Sequence, residues 1–166
     1  MDTNYLILAL AALVPLVMGF IWYGPMLFQK AWMKQMGFTE ESLKGGNMAF
    51  IFILSYVFSF MLAMLLQLSV IHQTGVFSTL TGEPGFMDKT GEVYTYFQDF
   101  MATYGDRFRT FKHGALHGAL TGIFLILPVL ATQAMFERKT AKYVLINVGY
   151  WTITLAIMGG ILCQWV

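Results

Sequence analysis

Hydrophobic and polar positions divide this chain into four long apolar runs separated by polar connections. The runs cover residues 4–28, 47–71, 113–136 and 143–165, and none contains Asp, Glu, Lys or Arg. Each has the ~20 residues that a helix needs to cross a bilayer. The pattern predicts an all-α membrane protein, a four-transmembrane-helix bundle forming one domain over residues 1–166. A short amphipathic helix is expected at the membrane interface within segment 72–112. Pro15 and Pro128 lie well inside the first and third runs. They deprive the carbonyls of Ala11 and Phe124 of a helical donor and predict kinks in both spans.

The connections carry patterns of their own. Trp22-Tyr23-Gly24-Pro25 falls where an aromatic belt meets headgroups, and it reads as the stop of span one. Phe28, Trp32 and Met36 then recur at helical spacing beside Lys30 and Lys34, which predicts a short surface helix before Gly37. Thr39, followed by Glu40 and Glu41, reads as a capped turn leading to Gly45-Gly46. Residues 74–91 are rich in Gly, Thr and Ser around Gly82-Glu83-Pro84-Gly85, and they predict an irregular loop. From there Phe97, Met101, Tyr104, Phe108 and Phe111 follow a 4-3-4-3 spacing. That stripe predicts an amphipathic helix over 93–111, broken at Gly105, acting as lid, anchor or interface.

Composition narrows the class further. With 57% hydrophobic and 11% charged residues the chain is no ordinary soluble domain, and a net charge of +1 offers no nucleic-acid surface. The expected partners are membrane lipids together with further copies of the chain or another membrane protein. Asp2 precedes span one, whereas Lys30, Lys34 and Lys44 follow it, and Arg138, Lys139 and Lys142 mark the turn between spans three and four. This distribution predicts an N-out, C-out topology with 72–112 exterior. Lys89, Arg107, Arg109 and Lys112 in that segment are accompanied by Glu83, Asp88, Glu92, Asp99 and Asp106. No basic region precedes span one, so it is expected to remain as a membrane helix. The lone cysteine, Cys163, has no partner for an intrachain disulfide and reads as a small apolar filler.

Within the spans the clearest signal is helix packing. Gly114, Gly118 and Gly122 leave one face of span three almost without side chains, so a neighbouring backbone can approach closely. Two stripes are suitable partners, Ser55, Ser59 and Ala63 on span two and Gly149, Ala156 and Gly160 on span four, either within one chain or across an oligomer. Uncharged polar residues Gln133, Asn147, Trp151 and Thr154 either bond across helices or line a polar solute cavity.

The residues that can carry chemistry are three histidines. His113 and His117 are one helical turn apart, and His72 ends span two on the same side of the membrane. Three imidazoles suit Zn or Cu, and one can ligate haem, although a partly buried histidine ordinarily bonds a carbonyl or headgroup. The first expectation is therefore no cofactor, with metal or haem as the alternative. No G-x-S-x-G, H-E-x-x-H, P-loop or paired intramembrane carboxylate occurs, and no enzymatic role is expected.

Gly19-x-x-Trp22-Tyr23-Gly24-Pro25-x-Leu27-Phe28-x-x-x-Trp32, with Phe136-Glu137-Arg138, Ile146-Asn147-x-Gly149-Tyr150 and Met158-Gly159-x-Ile161-x-x-x-Trp165, resembles a family of small four-span bacterial membrane proteins catalogued as a domain of unknown function. The most specific pieces are Trp-Tyr-x-Pro after span one and Ile-Asn-x-Gly-Tyr in span four. The chain departs from that pattern in its long 72–112 segment and in Gly24, where Ser is usual. The resemblance implies a bacterial inner-membrane protein and no established activity. Three roles follow from the residues: a self-associating structural bundle or accessory subunit, a channel or transporter for a small neutral or weakly polar solute, and a metal or haem protein.

Overall fold

The computed structural model describes residues 3–166 apart from the Lys44 side chain; Asp2 and that side chain, both part of the charge reading, lie outside it. Span one is made of α1 (Tyr5–Ala11) and α2 (Val14–Trp22). The Asn4 side chain caps α1 by accepting from the Ile7 N–H at 3.3 Å. Pro15 has no N–H to offer Ala11, and the chain tightens there, with the Leu13 N–H donating to the Leu10 carbonyl at 3.1 Å. A surface helix, α3 (Gln29–Met36), ends at Gly37 in the left-handed conformation with φ 69°. Beyond it, the Thr39 hydroxyl accepts from the Ser42 N–H at 3.2 Å and starts a short 3-10 turn.

Span two is α4 (Met48–Val70), capped by the Asn47 side chain. Two helices follow, α5 (Gln73–Leu80) and α6 (Glu92–Tyr104). Span three consists of α7 (Phe111–Thr121), a π-helical turn over Gly122–Ile126, and α8 (Leu127–Phe136). The π turn lies just ahead of Pro128. The Leu127 N–H reaches back five residues to the Gly122 carbonyl, so the helix accommodates the proline by inserting a residue. Span four is the unbroken α9 (Ala141–Trp165), capped by Thr140.

Four helices are thus long and apolar enough to cross a membrane, and the fold is an all-α membrane helical bundle without strands among the described residues. The core joins α1, α4 and α9 through Leu8, Ala11, Ala63, Leu66, Val70, Leu155, Met158 and Leu162. The outer face of α4 is the reverse of a soluble helix, with Phe50, Ile53, Met61 and Leu65 all at least 60% exposed. Lipid is the solvent that suits that face.

Segment 72–112 differs from its sequence pattern. Residues 73–80 are helical rather than an irregular loop, and the Ser78 and Thr79 hydroxyls turn back onto the Gly75 carbonyl at 3.0 and 2.8 Å, which keeps them satisfied within the helix. Phe77 also packs on Phe86 and Phe97, with ring centroids 5.5 and 5.9 Å away, so tertiary packing overrides the loop-like composition. The break expected at Gly105 in the aromatic stripe is present, and the helix does not resume beyond it until span three. It ends with α6 at Tyr104; Phe108 turns the corner with φ 64°, and Phe111 opens span three, which starts earlier than residue 113. Thr110 restarts the helix by capping the His113 N–H.

Candidate metal centre

His72 stands at the elbow between α4 and α5, while His113 and His117 lie in the first two turns of α7. The structure brings all three together. One ring nitrogen from each lies within 4.8 Å of the others. Ring centroids are separated by 4.6 to 5.0 Å, and His72 Nε2 is 2.9 Å from His113 Nε2. A nitrogen pair at that distance shares one proton, so at least one of the two imidazoles is neutral. On a tetrahedral ion with Zn–N near 2.0 Å, ligand nitrogens sit about 3.3 Å apart, so a small opening of this pair and closing of the third ring would complete a three-nitrogen face. Rings this close leave no slot for a porphyrin plane between them, and the arrangement fits a single ion better than haem.

Side chains missed by the sequence reading as site residues hold the cluster in place. Phe108 stacks on His113 at 5.0 Å and 19°, and meets His72 edge-on at 6.3 Å. A bulky residue in the left-handed region costs ~1–3 kcal/mol and persists only where its surroundings fix it. Here the same bend sends the Phe108 carbonyl to Cys163 Sγ at 3.3 Å. Gln73, next to His72, donates from Nε2 to the carbonyls of Tyr104 and Arg107 at 2.9 and 3.0 Å. Those bonds tie the elbow to the end of α6. The only sequence signal for Gln73 was its place beside a histidine, and Phe108 stood as one more aromatic of the stripe.

The glycine stripe has its partner inside the chain. A Cβ at Gly114 would lie 2.1 Å from the Gly159 carbonyl oxygen, one at Gly118 1.9 Å from that of Leu155, and one at Gly122 2.5 Å from Thr152 Cα. Span four is the partner, and the contacting glycine is Gly159. Gly149 instead faces the Trp22 ring and Gly160 the Phe111 ring. Ser55 and Ser59 face another way and line a cavity of about 490 Å³ with Pro15, Gly19, Tyr150 and Trp151. With the stripe occupied by its own α9, it gives no argument for contact between copies.

The four polar residues do not converge. Gln133 is exposed and donates to Glu137 at 2.7 Å, whereas Asn147 accepts from the Tyr23 hydroxyl at 2.8 Å. Thr154 is fully buried in the core with its hydroxyl unpaired, and Trp151 alone of the four reaches the cavity. Cys163 is buried, with Sγ against the Val70 and Phe108 carbonyls.

At the other end of the bundle, Trp-Tyr-x-Pro and Ile-Asn-x-Gly-Tyr interlock. Trp22 Nε1 donates to the Ile146 carbonyl at 3.0 Å, Tyr23 bonds Asn147, and the Tyr23 and Tyr150 rings lie 5.1 Å apart. A family model described as "Protein of unknown function (DUF1761)" matches residues 6–163. No curated protein and no solved structure matches the chain.

Proposed function

Since the chain belongs to this family of unknown function, no relative supplies an activity, and we propose from the elbow geometry that it is a metal-binding membrane protein. The observation that carries the reading is the convergence of His72, His113 and His117, with one nitrogen from each within 4.8 Å. Three neutral imidazoles favour Zn or Cu, and the fourth coordination position is left for water or a ligand. We read the role as binding rather than catalysis, since the three imidazoles that could serve as general bases are themselves the ligands and no carboxylate lines either groove beside His72. Lys30, Lys34, Arg138, Lys139 and Lys142 belong to connections at the opposite end of the bundle from the histidines. This supports an N-out orientation in a bacterial inner membrane, with the metal held at the outer face.

The test is metal analysis of the purified protein after equilibration with Zn or Cu and removal of free ion. Stoichiometric retention is expected in the parent chain, with loss in His117→Ala and in His72→Gln. The second variant alters an exposed elbow residue and leaves the spans intact. No metal retained by the parent chain, or retention in the two variants undiminished from the parent's, overturns the reading.

A further inference from the structure

We propose that the cavity between spans one, two and four binds a lipid-soluble quinone, an uncharged ring carbonyl compound taken from the hydrocarbon phase. Its volume is about 490 Å³, within the ~300–1,000 Å³ range of ligand pockets. Along α4 it runs from Ile51 to Leu62, about 16 Å of helix at ~1.5 Å per residue. Pro15 and Gly19 of α2 form the facing wall, and Tyr150 and Trp151 of α9 the floor, with ring centroids 5.0 Å apart. Phe20 and Phe58, which also line it, are exposed on apolar spans, so the cavity opens sideways onto lipid.

Two serine hydroxyls, one turn apart on α4, make the wall partly polar. Ser59 stands midway along Met48–Val70 and is only 6% exposed. A hydroxyl in an apolar helix ordinarily turns onto a carbonyl of the preceding turn, as Thr121 does with His117 at 2.9 Å. Among the described residues neither Ser55 nor Ser59 has such a partner, in its own helix or across the bundle. The side-chain atoms sealed away without a partner are Gln73 Oε1 and Thr154 Oγ1. The Ser59 oxygen is therefore unpaired yet open, and the space that it lines is this cavity. An unpaired donor at that depth is unfavourable in hydrocarbon, and a ligand acceptor would satisfy it.

Charge and depth select the ligand. Neither a basic nor an acidic residue lines the cavity, so an ionised ligand would enter it uncompensated. The ester carbonyls of a phospholipid stay at the interface, roughly 15 Å from the centre of a ~30 Å hydrocarbon core, and an acyl chain alone offers the hydroxyls no acceptor. A quinone dissolved in the core brings a carbonyl to the level of Ser59, and the lone pairs of that oxygen can accept from both serines. Tyr150 and Trp151 supply aromatic faces and edges for its ring. Tyr23 joins the cavity to the interlocked end of the bundle, away from the histidines, so the inference stands apart from the metal reading.

The test uses the full chain in nanodiscs of phosphocholine lipid, stripped of metal with a chelator, with decylubiquinone as the probe. Quenching of tryptophan fluorescence is the readout, with Trp151 in the floor as reporter. Occupancy of a site saturates, whereas collisional quenching in the bilayer does not. Saturable quenching is expected, with affinity at least about tenfold lower when Ser55→Ala and Ser59→Ala are combined, the loss of two hydrogen bonds. Decylbenzene keeps the ring and the tail without the carbonyls, and is expected not to displace the quinone at equal membrane concentration. That comparison needs no substitution and decides the matter even if the double variant fails to fold. Quenching without saturation, or undiminished affinity in a folded double variant, overturns the proposal. So does displacement by decylbenzene, which would identify the cavity as a seat for lipid chains.

Discussion

Replacing Gly118 with alanine tests the closest helix contact in the molecule. The new Cβ would sit 1.9 Å from the Leu155 carbonyl oxygen and 2.9 Å from Ala156 Cα, both backbone positions that no rotamer change can relieve. Because favourable heavy-atom contact begins near ~3.5 Å, α7 must move away from α9 by roughly 1.5 Å. A gap of only ~0.5–1 Å already forfeits a quarter to a half of a dispersion contact, so the neighbouring approaches at Gly114 and Gly122 weaken as well. Overpacking of this kind costs ~1–3 kcal/mol or more, against which the better helix propensity of alanine returns ~1 kcal/mol. With two backbone atoms in the way the cost lies at the top of that range, and the net loss of about 2 kcal/mol lowers the melting temperature by about 4–8 °C for a chain of this size. Cys163 provides the assay: it is the only cysteine, is fully buried, and lies against the same interface, so a thiol-reactive dye reports its opening on heating. Gly75→Ala is the control, since it lies within α5 with nothing within 4 Å of its added Cβ, and its melting should equal or slightly exceed that of the parent. If Gly118→Ala melts with the Gly75 control, the backbone seat argued here does not exist.

Tyr23→Phe removes the hydroxyl that donates to Asn147 Oδ1 at 2.8 Å. A loss of about 0.6–1.7 kcal/mol is expected for such an interhelical bond in lipid, read as a drop of a few degrees in the same thiol melt, and an unchanged melt would refute the bond. Arg109→Gln frees the Cys163 and Val166 carbonyls, which its guanidinium holds at 2.7 and 2.8 Å. Charge-assisted bonds of this type contribute ~1.5–3 kcal/mol, so amide exchange in the last turn of α9 should accelerate, while exchange at its start should not. For the metal reading the pH dependence has a definite sign. Protons compete for the nitrogens that the ion needs, so retention is complete at neutral pH and is lost as pH falls to about 5. Dialysis at stepped pH followed by metal analysis checks this, and pH-independent retention would argue against imidazole ligands.

The spans were legible because a run of ~20 uncharged residues is a property of composition, which no tertiary contact can disguise. The histidine cluster was legible for a related reason: the end of span two and the start of span three must lie on one side of a membrane. Rotation about helix axes was not legible. A glycine at every fourth position announces a bare face on α7 but not which face of α9 meets it, and α9 carries Gly149, Gly159 and Gly160 on different sides. Gln133 failed for a traceable cause. Depth along span three groups Gln133 with the polar residues of span four, but depth carries no rotation, and the π turn at Gly122–Ile126 inserts one residue and turns everything after it by about 100°. The 4-3-4-3 aromatic spacing likewise runs unbroken in sequence through a corner that the backbone makes at Phe108. No periodicity encodes that positive φ, and without it neither Phe108 nor Gln73 could be assigned to the site.

The two levels of the structure meet in α7. Gly114 and Gly118 each follow a metal-candidate histidine by one residue, so the stripe that seats α7 on α9 and the face that presents His113 and His117 turn together along one helix. Contact through backbone atoms leaves no side chain to slide or repack, and it fixes the height and rotation of that histidine pair. His72 is held differently, by an elbow whose next residue, Gln73, is bonded to the end of α6. The centre is therefore two imidazoles on a rigid helix and a third on a clamp that also forms the wall of the groove between the start of α5 and the end of α6. An ion bound as proposed would, by drawing His72 inward, act on the elbow and not on the spans, and the elbow is where the groove and the histidine cluster share a residue.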